Sequence, residues 1–311
     1  MTHSGPRRRG WRMAGWLLLL VLLVAAGGSA WYFNRIVNRS ANLLLYPPRS
    51  QPSKTPADYG LTAESIQLTS ADGLGLTAWF IPPTGGVDGA TLIFVHGYSA
   101  NRGALLDQAV ALHQVGYGAL LLDLRNHGDS ETAVTTWGLA EAADVVAAYN
   151  YLLTRSEVNA TRIGLVGKSM GGGVVALAAT QLPDLRVLVL ESSYASLAEN
   201  MPNIVPGIAR VPAYLAPAIF RRMDAETAES LTEFHTAEIV ADLHVPLLVI
   251  HGEVDKLVPV AQGQAIFAAA NEPKQLIVIP GAGHLDIFTR NPETFTEQVA
   301  TFLAGKGLTA H

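Results

Sequence analysis

Ile163-Gly-Leu-Val-Gly-Lys-Ser-Met-Gly-Gly-Gly173 runs from an apolar strand at 163–166, through a tight turn with Ser169 at its apex, into a small-residue helix expected over 171–180. Within it, Gly167-Lys168-Ser169-Met170-Gly171 has the G-x-S-x-G form of a nucleophile elbow. A serine on so sharp a strand-to-helix turn adopts strained backbone geometry. The residues two before and two after it must be small, because strand and helix nearly touch there. The pentapeptide alone is equally compatible with an ordinary turn, so its surroundings decide. A phosphate loop is excluded, since that motif needs a glycine five before Gly167 and position 162 is arginine. No G-x-G-x-x-G opens the helix, so a dinucleotide fingerprint is absent too.

Outward from the elbow, continuous apolar runs at 91–95, 119–123, 186–190, 246–250 and 275–279 alternate with helical patterns at 102–115, 139–153, 261–270 and 292–303. Such alternation predicts an α/β fold with a mostly parallel sheet covered by helices on both faces. Two earlier runs, 66–69 and 76–81, flank Ala71-Asp72-Gly73 and predict an antiparallel hairpin. Ligands of open parallel sheets bind beyond the carboxyl ends of the strands, so the residues just after each strand matter most.

His96-Gly97-Tyr98 follows the run ending at Val95. The backbone N–H of Tyr98, with that of Met170 after the serine, is the expected pair of donors to a carbonyl oxygen that becomes negative on attack. His251-Gly-Glu-Val-Asp255 follows the run ending at Ile250, and Gly281-Ala-Gly-His284 follows the last strand. Ser169, Asp255 and His284 thus come in the chain order serine, acid, histidine. His284 would take the Ser169 proton and return it to the leaving group, while Asp255 would fix the imidazole tautomer. Of nine histidines, His284 is the one on a glycine-flanked turn after the final strand. Glu253, Asp286 and Glu191 are rival carboxylates, the last because it ends another strand.

The chain resembles the α/β-hydrolase fold superfamily, especially membrane-anchored Bem46-like serine hydrolases and the serine aminopeptidase or monoacylglycerol lipase-like group. The matching pieces are Val95-His-Gly-Tyr98, Asp123-Leu-Arg-Asn-His-Gly-Asp-Ser130, Gly167-Lys-Ser-Met-Gly-Gly172, His251-Gly-Glu-Val-Asp255 with Val258-Pro259, and Gly283-His284. They cover about residues 65–305 in order. In the second piece these families usually have glycine where this chain has Asn126, and asparagine also tolerates left-handed geometry. Arg125 and Asp129 there are expected to lock a turn. The resemblance implies acyl transfer to water without naming the substrate.

Arg7, Arg8, Arg9 and Arg12 in a basic segment, 1–12, precede an apolar run at 13–33. At about 1.5 Å per residue that run reaches about 31 Å, close to the roughly 30 Å hydrocarbon core. The arginines predict a single-pass anchor with its N-terminal end cytoplasmic and the rest extracytoplasmic, with Trp31-Tyr32-Phe33 as an interfacial belt. The alternative is a secreted protein, with cleavage of a signal peptide near Gly28-Ser29-Ala30. Residues 34–60, with Pro47, Pro48, Pro52 and Pro56, are expected to form an extended connector that packs partly on the domain. Residues 61–311 form the hydrolase domain, with a cap insertion at about 192–243.

Of the 311 residues 49% are hydrophobic and 15% charged, enough for a sizeable core, and the net charge of −5 offers no basic surface for nucleic acid. With no cysteine, disulfides, thiolate metal sites and a cysteine nucleophile are excluded. No metal-ligand spacing occurs, and no cofactor is expected. The apolar, proline-punctuated cap suits either a lid over the site or a packed connector. The leading expectation is a serine hydrolase of hydrophobic or lipid-derived carboxylic esters. A peptidase, amidase or thioesterase of the same fold and a non-catalytic scaffold are the alternatives. The sequence assigns no oligomeric state.

Overall fold

The computed structural model describes residues 7–309, so the first six residues of the basic segment lie outside it. Eight strands form one sheet: β1 (Glu64–Thr69), β2 (Gly75–Ile81), β3 (Thr91–Val95), β4 (Gly118–Leu122), β5 (Ile163–Lys168), β6 (Val187–Glu191), β7 (Leu247–Gly252) and β8 (Lys274–Ile279). Their order is β1-β2-β4-β3-β5-β6-β7-β8. The first two strands pair antiparallel, as does β2 with β4, and every later pair is parallel. Fully buried strands such as β3, β4 and β6 are the continuous apolar runs that parallel pairing between two helical layers demands.

Helices α2 (Leu106–Gln114) and α10 (Pro292–Gly305) cover one face, where Leu106, Val110, Val299 and Phe302 join a core with Phe94 and Leu121. On the other face α3 (Glu141–Leu153), α4 (Met170–Ala179) and α8 (Val260–Ala269) pack through Val145, Val174 and Ile266. The insertion after β6 carries α5 (Leu197–Ile208), α6 (Ala216–Thr227) and the short α7 (Thr236–Ala241). A four-residue α9 (Ile287–Arg290) precedes α10.

The N-terminus differs from expectation. Helix α1 spans Arg7–Leu45, 39 residues, so nearly the first half of the supposed connector is helix. Nothing between 34 and 45 breaks a helix, and Pro47 and Pro48 supply the stop. Side chains 11–33 are exposed, on a helix long and apolar enough to cross a membrane. In the last turns Val37, Ala41, Leu44 and Leu45, spaced along one helical face, are buried in the domain core. Asn38 accepts from Arg222 of α6 at 3.1 Å, joining the helix to the cap as well.

The C-terminal carbonyls of a helix lack intrahelical partners, yet each of the last four here is satisfied. Tyr46 N–H donates to Asn42 O at 2.8 Å, the Tyr98 hydroxyl to Leu43 O, and Trp137 Nε1 to Leu44 O at 3.1 Å. Leu45 O accepts from Thr135 N at 2.9 Å and from Asn126 Nδ2 at 3.2 Å. Asn126 sits at φ 63°, so asparagine keeps the left-handed turn that glycine would allow and adds a donor to the helix end. Farther on, Arg49 Nε donates to Gly128 O at 3.1 Å, tying the rest of the connector to the same turn.

Arg125 is a turn lock as expected. It is buried between Asp144 of α3 and Asp72 of the β1–β2 turn, each at 2.7 Å. Asp129 pairs with Arg102, which also binds the buried Asp123.

Candidate active site

β5 ends beside β6, and the chain then reverses into α4. Ser169 occupies the reversal at φ 55°, ψ −120°, a conformation costing a non-glycine residue about 1–3 kcal/mol and retained where surrounding structure enforces it. The enforcing contacts include Ser169 N–H to Glu191 O at 2.8 Å and Gly172 N–H to Ser169 O at 3.0 Å. Gly171 is required: a Cβ there would collide with the carbonyl oxygens of Val95 and His96. Gly97 allows the loop after β3 to approach the serine, since its Cβ would lie 3.0 Å from Ser169 Cβ.

Three strand ends converge. His284 Nε2 lies 3.0 Å from Ser169 Oγ, and His284 Nδ1 lies 2.7 Å from Asp255 Oδ2. With Nδ1–H donating to the carboxylate, Nε2 is free to accept the serine O–H. Asp255 Oδ1 accepts from Leu257 N and Val258 N, both at 2.9 Å. Burial pushes the Asp255 carboxyl up, but the His284 contact and the Val258 N–H outweigh it, and the group is held below its ordinary value. Asp255 is therefore ionised at neutral pH and able to stabilise an imidazolium.

The rival carboxylates lie elsewhere. Glu191 is buried, paired with Lys168 at 2.7 Å and accepting from Gln108 at 2.8 Å. Glu253 accepts from Gly281 N at 2.8 Å, and Asp286 accepts from Gly283 N at 2.6 Å while pairing with Arg290. The last two lace together the turn that carries His284.

Met170 opens α4, so its N–H is among those without an intrahelical acceptor. Tyr98 shares a cavity wall with Ser169, and its N–H has no protein acceptor among the described residues. Two neighbouring imidazoles, with centroids 5.0 Å apart and planes tilted by 56°, hold this loop. His127 Nε2 accepts from Ser99 N at 3.1 Å and His96 Nε2 accepts from Leu124 N at 3.2 Å. Both rings donate through Nδ1 to carbonyls and must be neutral to accept. His251 is buried beside Asp255 and donates from Nε2 to Val258 O at 2.8 Å.

Burial pushes His96 down to about 3, helped by neighbouring His127, and burial also lowers His127 and His251. A histidine of the unfolded chain binds a proton below about pH 6.5, whereas these three do so only at lower pH. The unfolded state then holds more protons, so stability is present above about pH 6.5 and is lost on acidification towards the folded values. Between pH 6.5 and 5 His96 alone should account for about 2 kcal/mol. Thermal unfolding followed by circular dichroism in detergent should show Tm falling over this interval. Asp144, which burial pushes up to about 6, acts in the opposite direction over this interval, so a Tm that rises contradicts the assignment.

Above the serine lies a cavity of about 450 Å³, within the range of small-ligand sites. Its wall includes Tyr98, Trp137, Ile204, Ile208 and Leu257, and Leu43 from α1 closes one side. Tyr98 and Trp137 stack with centroids 4.7 Å apart. Ile204 and Ile208 of α5 place the insertion over the site, so it forms a cap. The sequence reading missed Leu43, Trp137 and these isoleucines as site residues. The apolar face 37, 41, 44, 45 was the signal available for the helix end; nothing local marks the others.

A sequence model of the alpha/beta hydrolase family matches residues 92–298. The chain belongs to the alpha/beta hydrolase family. This hydrolase is 31% identical over 287 residues to an uncharacterized protein of Mycobacterium tuberculosis, covering 92% of this chain and 94% of that one. It is 25% identical to protein bem46 of Schizosaccharomyces pombe, over 94% of this chain and 93% of that one, as the Bem46-like resemblance implies. Among solved structures, an esterase of Pyrococcus furiosus aligns with a TM-score of 0.71 and 26% identity, covering 85% of this chain and 98% of that one. The family and its esterase-like structural relatives support hydrolase activity, and the N-terminal helix is compatible with a membrane anchor.

Proposed function

We propose that the hydrolase cleaves hydrophobic carboxylic esters through an acyl-enzyme on Ser169. The observation that carries this is the unbroken chain Ser169 Oγ, His284, Asp255 at the floor of an apolar cavity. Ser169 Oγ attacks the ester carbon as His284 Nε2 takes its proton, and the tetrahedral oxyanion accepts from the Met170 and Tyr98 N–H groups. His284 then protonates the departing alcohol, leaving the acyl group on Ser169. Water enters, loses its proton to His284, and releases the carboxylic acid. Of the residues lining the cavity none is Asp or Glu, and the single cation, Lys168, is paired with Glu191. No carboxylate is therefore free to bind a substrate amine, which favours an ester over the free N-terminus of a peptide.

In this proposal α1 is a single-pass anchor, its arginine-rich end cytoplasmic and the domain on the other side. One experiment tests both parts. A membrane-impermeant fluorophosphonate probe should label the wild-type chain on right-side-out cells or spheroplasts and fail on Ser169→Ala. Labelling only after lysis would reverse the topology. Absence of Ser169-dependent labelling in lysed samples would remove the mechanism.

A further inference from the structure

We infer that the last turn of the membrane anchor is part of the substrate site: Leu43 of α1 and Ile204 and Ile208 of α5 together form a slot for one acyl chain. The substrate class is a single-chain acyl ester taken from the bilayer that α1 enters. This rests on the ester-hydrolase function proposed above and deepens it.

Four observations converge. Leu43 and Pro48 line the cavity that holds Ser169 and His284, although they belong to the N-terminal segment and not to the hydrolase sheet. The wall is fixed, because the carbonyls of Leu43, Leu44 and Leu45 accept from Tyr98, Trp137 and Asn126. Two of those donors, Tyr98 and Trp137, are themselves cavity walls. Cap helix α5 supplies another part of the wall, and the next cap helix, α6, is bonded to α1 through Arg222 and Asn38, so anchor and cap are joined directly. Finally, the anchor proposed above places the cavity close to the bilayer. Leu43 is ten residues beyond Phe33, the end of the exposed apolar run, a rise of about 15 Å along the helix. An amphiphile with one chain suits the slot, and a soluble short-chain ester would leave most of it unfilled.

The test uses the full chain in lipid nanodiscs, with p-nitrophenyl acetate and p-nitrophenyl dodecanoate as substrates. Leu43→Trp should lower the dodecanoate-to-acetate ratio of kcat/KM by about tenfold or more, because the added ring fills the slot and not the serine. Leu43→Ala, which widens the wall, should move the preferred chain length upward; acetate turnover in each variant reports that it is folded. A dodecanoate-to-acetate ratio unmoved by both substitutions overturns the inference and leaves the proposed function standing. If neither ester is turned over in a Ser169-dependent way, the proposed function fails. The slot is then read in Ser169→Ala by the fluorescence of bound cis-parinaric acid. Binding that Leu43→Trp weakens about tenfold supports the slot, and binding that is absent or indifferent to Leu43 overturns it.

Discussion

Ser169→Ala is expected to lower kcat/KM for a short-chain ester by roughly 10⁴- to 10⁶-fold, and His284→Ala to do nearly as much. The double variant should be no slower than either single one. In the proposed mechanism serine and histidine act as one unit: the 3.0 Å contact between Ser169 Oγ and His284 Nε2 would be the proton path, and neither partner works without the other. Asp255→Asn should cost about 10⁴-fold, since the amide oxygen stays on the Leu257 and Val258 N–H groups, and the NH2 group then facing His284 Nδ1 donates to it and favours the wrong tautomer. Residual turnover above water would come from the Met170 and Tyr98 donors and from binding. Initial rates with p-nitrophenyl acetate measure all four. Multiplicative loss in the double variant would mean that the two side chains act independently, which the proposed mechanism forbids.

Truncation is expected to give the second large effect. A chain beginning at residue 31 keeps the docked turns of α1 and should remain folded and active, released from the membrane. A chain beginning at residue 46 should aggregate or unfold. Leu44 and Leu45 are fully buried, and burying each stabilises the fold by about 1.5–3 kcal/mol. Val37 and Ala41 add to this, and the Tyr98, Trp137 and Asn126 donors would lose their acceptors, at about 1–3 kcal/mol for each one left buried and unpaired. The total rivals the roughly 5–15 kcal/mol net stability of a domain. Soluble yield and Tm of the two truncations decide it. A stable, active chain from residue 46 onward would show that the docked turns are dispensable.

That boundary was the least legible part of the sequence. The strands were readable because a sheet buried on both faces needs unbroken apolar runs, and the predicted runs 91–95 and 186–190 match β3 and β6 to within a residue. The three candidate catalytic side chains were readable because this fold places them after particular strands in a fixed order. Residues 34–45 were not, because Asn34, Arg35, Asn38, Arg39 and Asn42 lower the local hydropathy, and the four prolines that follow suggest extended chain. The face carrying Val37, Ala41, Leu44 and Leu45 has meaning only once the domain supplies a surface for it. Likewise the cavity wall joins Leu43 to Tyr98 and Ile204 across long stretches of chain, a proximity that no local pattern encodes. Asn126 was legible as a tolerable departure from glycine, but its bond to Leu45 O was not.

That bond limits how the protein can be recombined. Anchors of membrane-tethered enzymes are commonly treated as interchangeable handles, exchanged at the edge of the bilayer. Here a foreign handle has to be spliced upstream of Val37, so that the native residues from there to Leu45 travel with the domain and meet Asn126, Trp137 and Tyr98. A junction placed at the prolines would give a chimera with the right address and a breached catalytic chamber.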